Sequence, residues 1–151
     1  MDAVALDLDG TLGDTRRLWA DWLADVTRRA RLDLELPSDR AAAAEALDAA
    51  LPNWRDLLGR FAEDRAPVYL RPDAKASAAL RRLDDAGVRI GVFTDAPEPL
   101  ALIALAHLGA SRRVDALETG RDALERLLAK LGPGTEVVRS TDELSVQSNR
   151  A

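Results

Sequence analysis

Residues 5–15 read ALDLDGTLGDT. An apolar run, Ala3 to Leu8, delivers two aspartates, Asp7 and Asp9, followed at once by Gly10 and Thr11. The run has the length and composition of a short buried strand. Side chains two apart on a strand share a face, so the two carboxylates can start out aimed alike. Gly10 then lets the chain turn sharply without a Cβ penalty. Two close carboxylates repel unless something neutralises them, and a hard cation with oxygen ligands, such as Mg²⁺, does so without cysteine or histidine. Strand-end Asp and Gly are also common turn formers, so DxDG by itself leaves turn and site as equal readings.

The elements after this strand follow two patterns. From about Asp14 to Val68 the sequence reads as helix throughout. Leu18, Trp22 and Val26 recur every four residues, with Trp19 and Leu23 beside them, on an otherwise charged helix. Asp14, Ser38 and Asn53 are candidate N-caps for three successive helices. From Asp73 onward the pattern alternates. DAKASAALRRLDDAG is a helix with Gly87 as its stop, and VRIGVFTD is a strand. APEPLALIALAHLG is a helix stopped at Gly109, and RVDALETG holds a short strand. RDALERLLAKLG is a helix stopped at Gly132, TEVVRS is a last strand, and DELSVQSNRA is a short helix that frays. Alternation of this kind predicts a parallel sheet covered by helices, with ligands at the carboxyl ends of the strands. The expected fold class is therefore α/β, a Rossmann-like three-layer core (1–13 and 69–151) with an inserted helical cap (14–68). Asp7, Asp9, Thr94 and Ser140 would meet at the strand ends.

Composition narrows the function classes. The chain has 151 residues, 47% hydrophobic and only 4% aromatic, and a net charge of −5. An acidic balance argues against a nucleic-acid footprint, which is a basic face. There is no cysteine, which removes disulfides and thiolate metal sites. The longest apolar stretch, PLALIALAHLGA, is shorter than the roughly 20 residues a membrane span takes. The start, MDAVALDLDG, lacks the basic region of a secretory signal, so a cytoplasmic location is expected.

ALDLDGTL, followed at a distance by RIGVFTD with Thr94 at its end, resembles the haloacid dehalogenase superfamily, in its phosphatase branch with a small helical cap. YLRPDAKASAALRRLDDAGVRIGVFTDA also looks like the family's segment leading into its second motif. The resemblance covers about residues 1–132. It implies that Asp7 is the nucleophile of an aspartyl-phosphate mechanism. Asp9 would be the general acid and then the base, Mg²⁺ would be held by the Asp7 carboxylate and the Asp9 carbonyl, and Thr94 would bind a phosphate oxygen. An Asp in the second position favours a phosphatase over a dehalogenase. The implied partner is a small phosphorylated substrate, whose identity rests on cap residues with no readable code.

Two motifs depart from the family pattern. The expected lysine after the third strand is absent; Lys75 and Lys130 lie on helices, and Arg121 after LETG stands in place. Arg121 would begin a helix, where the macrodipole disfavours a cation, and that hints at a phosphate-binding role beside the plain reading of a surface arginine. The family expects Gly-Asp after the last strand; here Arg139 and Ser140 occupy it, and Asp142 follows as a displaced candidate metal ligand. Ser140 and Glu143 also have the spacing of a capping box. His107, near a helix end, reads as structural. The three tryptophans read as the cap's own core, though one could face a substrate. The expected activity is a Mg²⁺-dependent phosphatase. The alternative is a catalytically weak relative that binds a phosphorylated ligand or a protein partner. A phosphorylation-dependent receiver domain fits less well, since it lacks a helical insertion after the first strand.

Overall fold

The structure is a computed structural model that describes residues 1–33 and 35–151. Four short strands form one parallel sheet in the order β3-β2-β1-β4: β1 (Ala3–Asp7), β2 (Arg89–Thr94), β3 (Ala116–Thr119) and β4 (Thr135–Val138). β1 is central and buried on both sides, which explains its unbroken apolar run. Its alternate residues divide between two layers. Val4 and Leu6 pack with Ile90, Val92 and Val138 against helices α5 (Ala74–Asp85), α6 (Glu98–His107) and α8 (Thr141–Arg150). Ala3, Ala5 and Phe93 face α7 (Ala123–Leu131) on the other side. This is the expected α/β Rossmann-like core with its three layers. The close approach of α7 requires Gly91, where a Cβ would lie 2.7 Å from Leu127 and 2.8 Å from Leu131.

The stretch after β1 holds a one-turn element, α1 (Leu8–Thr11), then α2 (Arg16–Arg29), α3 (Arg40–Ala50) and α4 (Trp54–Tyr69). It is not helical throughout: residues 30–33 and 35–39 connect α2 to α3 without helix or strand. Trp19, Trp22 and Trp54 form the centre of this insertion, with ring centroids 5.3 to 6.5 Å apart. Their cluster also takes in Ala96 and Leu100, so the insertion and α6 share one apolar core.

Three capping expectations change. Asp14 does not cap α2; Thr15 occupies the cap position, its side chain turned elsewhere, while Asp14 binds Arg16. α3 is capped by Asp39, which accepts from the Ala42 N–H at 3.1 Å, and not by Ser38. Asn53 holds the cap position of α4 but makes no side-chain bond there. α8 is not a fraying tail. Leu144 and Ser148 are buried, and Arg82 of α5 donates to the Ser148 hydroxyl at 3.2 Å. Among the described residues, no helix is long and apolar enough to cross a membrane.

Candidate active site at the strand ends

β1 stops at Asp7, so Asp9 is not on the strand at all. Asp9 and Gly10 have non-helical angles, and Gly10 has φ +106°. That φ lies in the region that glycine tolerates and side chains avoid. A Cβ on Gly10 would also meet the Arg139 carbonyl oxygen at 2.8 Å. The turn is fastened by Thr11, whose hydroxyl donates to the Asp7 carbonyl, and by a 2.9 Å bond from Gly10 N–H to the Gly13 carbonyl. We expect Gly10→Ala to destabilise the fold by roughly 2–3 kcal/mol, since it combines a disfavoured φ with a backbone clash. Urea unfolding measures this; a loss under about 0.5 kcal/mol would show that the β1 and β4 ends are free to part.

The turn brings Asp7 and Asp9 to one cavity of about 780 Å³, also lined by Thr94, Trp19, Arg40 and Arg139. Thr94 is buried at the end of β2, and its oxygen accepts from the Ala96 N–H at 3.1 Å. This bond leaves the hydroxyl proton to donate into the cavity. Pro97 holds the N-cap position of α6. Burial raises the Asp7 carboxyl above its ordinary 3.8, and the neighbouring Asp9 raises it further; Arg139 opposes both. Nη1 of Arg139 lies 3.4 Å from Asp7 Oδ2.

Asp9 is held more tightly. Its Oδ1 accepts from the Thr15 N–H at 2.7 Å and the Thr15 hydroxyl at 2.8 Å, and its Oδ2 accepts from Nη2 of Arg40. The same guanidinium donates to Asp95 at 2.6 and 3.0 Å and to the Thr15 hydroxyl at 2.7 Å. The Arg40 side chain is 5% exposed and that of Asp9 is 9%, so this is a buried ion pair; Asp95, at 54%, completes it from the solvent side.

Arg40, Thr15 and Asp95 were not foreseen as part of the site. Arg40 had one signal in the sequence: it opens an alanine-rich helix at the end where a cation is unfavourable, so an anion had to be near. Thr15 had none.

Two expected site residues are not brought to this cavity. Arg121 sits in the turn before α7 and does not begin it, because Asp122 takes a left-handed conformation (φ 58°) and the helix starts at Ala123. The macrodipole argument for Arg121 therefore lapses. It binds Glu45 at 3.1 Å and Asp39 at 3.8 Å, against α3. Asp142 lies in the first turn of α8 and pairs with Lys75 at 2.5 Å. Lys75 holds its carboxyl below the ordinary value.

The donors do not suit the magnesium ion that the resemblance implies. Mg²⁺ demands near-octahedral oxygen placement and one or two carboxylates. Asp7 offers one. Both Asp9 carboxylate oxygens are committed to Arg40 and Thr15, which leaves Asp9 its backbone carbonyl alone as a donor. The Ser140 hydroxyl caps α8, accepting from the Glu143 N–H at 3.1 Å, and Glu143 accepts from the Arg139 N–H at 3.0 Å. Asp142 faces Lys75. Among the described residues, no three His, Cys, Asp or Glu side chains gather in a metal-holding group.

No curated protein sequence matches the chain. Among solved structures, it is similar to CbbY from Rhodobacter sphaeroides in complex with phosphate. The TM-score is 0.69 at 16% identity, over 92% of this chain and 76% of that one. A HAD phosphatase from Thermococcus onnurineus gives 0.58 at 20% identity, over 99% and 82%. A hydrolase from Streptococcus pneumoniae TIGR4 gives 0.51 at 14% identity, over 98% of both chains. At these identities the structures carry the fold. Membership comes from the family model of a haloacid dehalogenase-like hydrolase, which matches residues 1–138. Spanning β1, the insertion and every strand of the sheet, that match shows that the chain belongs to the haloacid dehalogenase-like hydrolase family.

Proposed function

We propose that the chain is a phosphoric monoester hydrolase acting on a small phosphorylated metabolite, with Asp7 as its nucleophile. The observation that carries this is the place of Asp7: the carboxyl end of the central strand, open to a cavity with the Thr94 hydroxyl and the Arg139 guanidinium beside it. CbbY was solved with phosphate, and a mutant of it with xylulose-(1,5)bisphosphate, which makes sugar phosphates the first substrate class to try.

In this reading an Asp7 carboxylate oxygen attacks phosphorus and the ester P–O bond breaks. The leaving oxygen takes a proton from Asp9 and departs as an alcohol. Water then attacks phosphorus, gives its proton to Asp9, and releases inorganic phosphate from the aspartyl-phosphate. Both residues return to their starting state, so the proton count closes. Splitting one hard displacement into two easier ones is what a covalent intermediate supplies. Thr94 donates to a phosphate oxygen. Burial leaves the Asp7 carboxylate poorly stabilised in its ionised form, which favours attack.

Residues 14–68 act as a cap in this reading, since Arg40 and Trp19 reach from it to the strand ends. Asp9 can serve as an acid only when Arg40 withdraws, so movement of the cap gates the chemistry. The Arg40–Asp9 pair also favours a second reading, a relative that binds a phosphorylated ligand and turns over little. Assays across sugar phosphates, nucleotides and phosphoglycolate, with and without Mg²⁺, test both. Hydrolysis of any of them that Asp7→Asn removes supports the hydrolase; phosphate binding with no hydrolysis across the panel supports the binder.

A further inference from the structure

We propose that the Arg139 guanidinium holds the phosphate group beside Asp7 in the place a metal ion would take, so that this site accepts a phosphate monoester without a divalent cation. The inference rests on the hydrolase reading and names what neutralises the substrate's charge within it.

The sheet register puts Arg139 there. Leu6 pairs with Val138 on β4, and Asp7 pairs with Phe93 on β2. One residue past the Leu6–Val138 pair, Arg139 stands level with Asp7, so Phe93, Asp7 and Arg139 form a row across three strand ends. The Arg139 side chain crosses the end of β1 to lie over the Phe93 ring, its guanidinium carbon 5.3 Å from the ring centroid. On the way its Nη1 passes 3.4 Å from Asp7 Oδ2. It therefore spans the space in front of the nucleophile.

Its donors are available. A charge-assisted N–H···O bond is normally 2.7–2.9 Å, so 3.4 Å is a loose hold. The side chain is 57% exposed, and a guanidinium carries five donors in a planar fork that suits phosphate oxygens. The other arginines lining the cavity are committed: Arg40 to Asp9, Asp95 and Thr15, and Arg16 to Asp14 at 2.6 Å. The side-chain oxygens that could complete a magnesium shell are withdrawn into the Arg40 pair, the α8 cap and the Lys75 pair, which leaves the Asp7 carboxylate and the Asp9 carbonyl alone. The cation is thus part of the chain.

Calorimetric titration of inorganic phosphate into the full chain tests this, in EDTA and again with excess Mg²⁺. We expect binding in EDTA, changed less than about twofold by Mg²⁺. Arg139→Ala should weaken it by about tenfold or more in EDTA, and Arg139→Lys should fall between, because an ammonium restores charge but not the fork. Circular dichroism checks the fold; if Arg139→Ala is unfolded, the Arg139→Lys titration decides alone, and affinity equal to wild type overturns the proposal. Phosphate binding that appears only with Mg²⁺ overturns it, as does wild-type affinity in Arg139→Ala or no binding in EDTA. The hydrolase reading fails separately. Mg²⁺-dependent hydrolysis would keep that reading and remove this one. Arg139-dependent phosphate binding in EDTA with no turnover would do the reverse.

Discussion

Asp7→Asn will lose turnover by at least about 10³-fold and, in EDTA at neutral pH, will melt at a higher temperature than the wild type. The first effect follows from chemistry: an amide of nearly the same shape cannot form the aspartyl-phosphate. The second follows from what surrounds the carboxylate. Burial raises its pKa above the ordinary 3.8, and repulsion from Asp9 adds to that; Arg139 only partly compensates. A carboxyl group raised in the folded state binds more protons there than in the unfolded chain. Stability therefore falls as pH rises from the unfolded value through the raised folded value, and the full deficit persists above it. Asparagine carries no such deficit. The gain should be largest at neutral pH, shrink once the pH falls below the raised folded value, and vanish below about 3.8. Melting curves of both proteins at several pH values check the sign. A wild type that melts higher at neutral pH would show that the Arg139 contact outweighs burial.

The sequence disclosed what local rules determine. The strand ending in DLDG, the period of the helices and the glycine stops are set by neighbours a few residues apart, and so is the Ser140 cap with Glu143 three residues on. What it hid are contacts between distant segments. Arg40 meets Asp9 across 31 positions and Asp95 across 55, and both depend on how the insertion folds back over the sheet. Asp142 reads as a metal ligand only until Lys75, 67 positions away, is seen beside it. Arg121 was misplaced by a single backbone angle at Asp122. Arg139 was visible as a departure from the family pattern, but its meaning was not. Exchanging Gly-Asp for Arg139-Ser140 makes the strand end two charges more positive, the charge of a divalent ion.

Arg40→Ala will destabilise the fold by about 3–5 kcal/mol, the cost of breaking a buried ion pair from one side. Arg40 opens α3, where the helix dipole is positive, and its side chain is 5% exposed. Only the carboxylates of Asp9 and Asp95 make that position tolerable. Alanine removes three hydrogen-bonded partners at once and leaves Asp9 to the two donors of Thr15. It also removes the direct tie between α3 and the ends of β1 and β2. Arg40→Lys should recover little, since one ammonium cannot reach Asp9, Asp95 and Thr15 together. Asp9→Asn with Arg40→Met should recover most of the loss, because neither charge is then stranded. Urea unfolding of the wild type, Asp9→Asn, Arg40→Met and the double variant gives a coupling energy, expected at about 2 kcal/mol or more for residues in one buried network. Coupling near zero would mean that exposed Asp95, not Asp9, holds Arg40. The insertion would then be tied to the sheet at its solvent edge, and Asp9 would be free to carry protons without any movement of the cap.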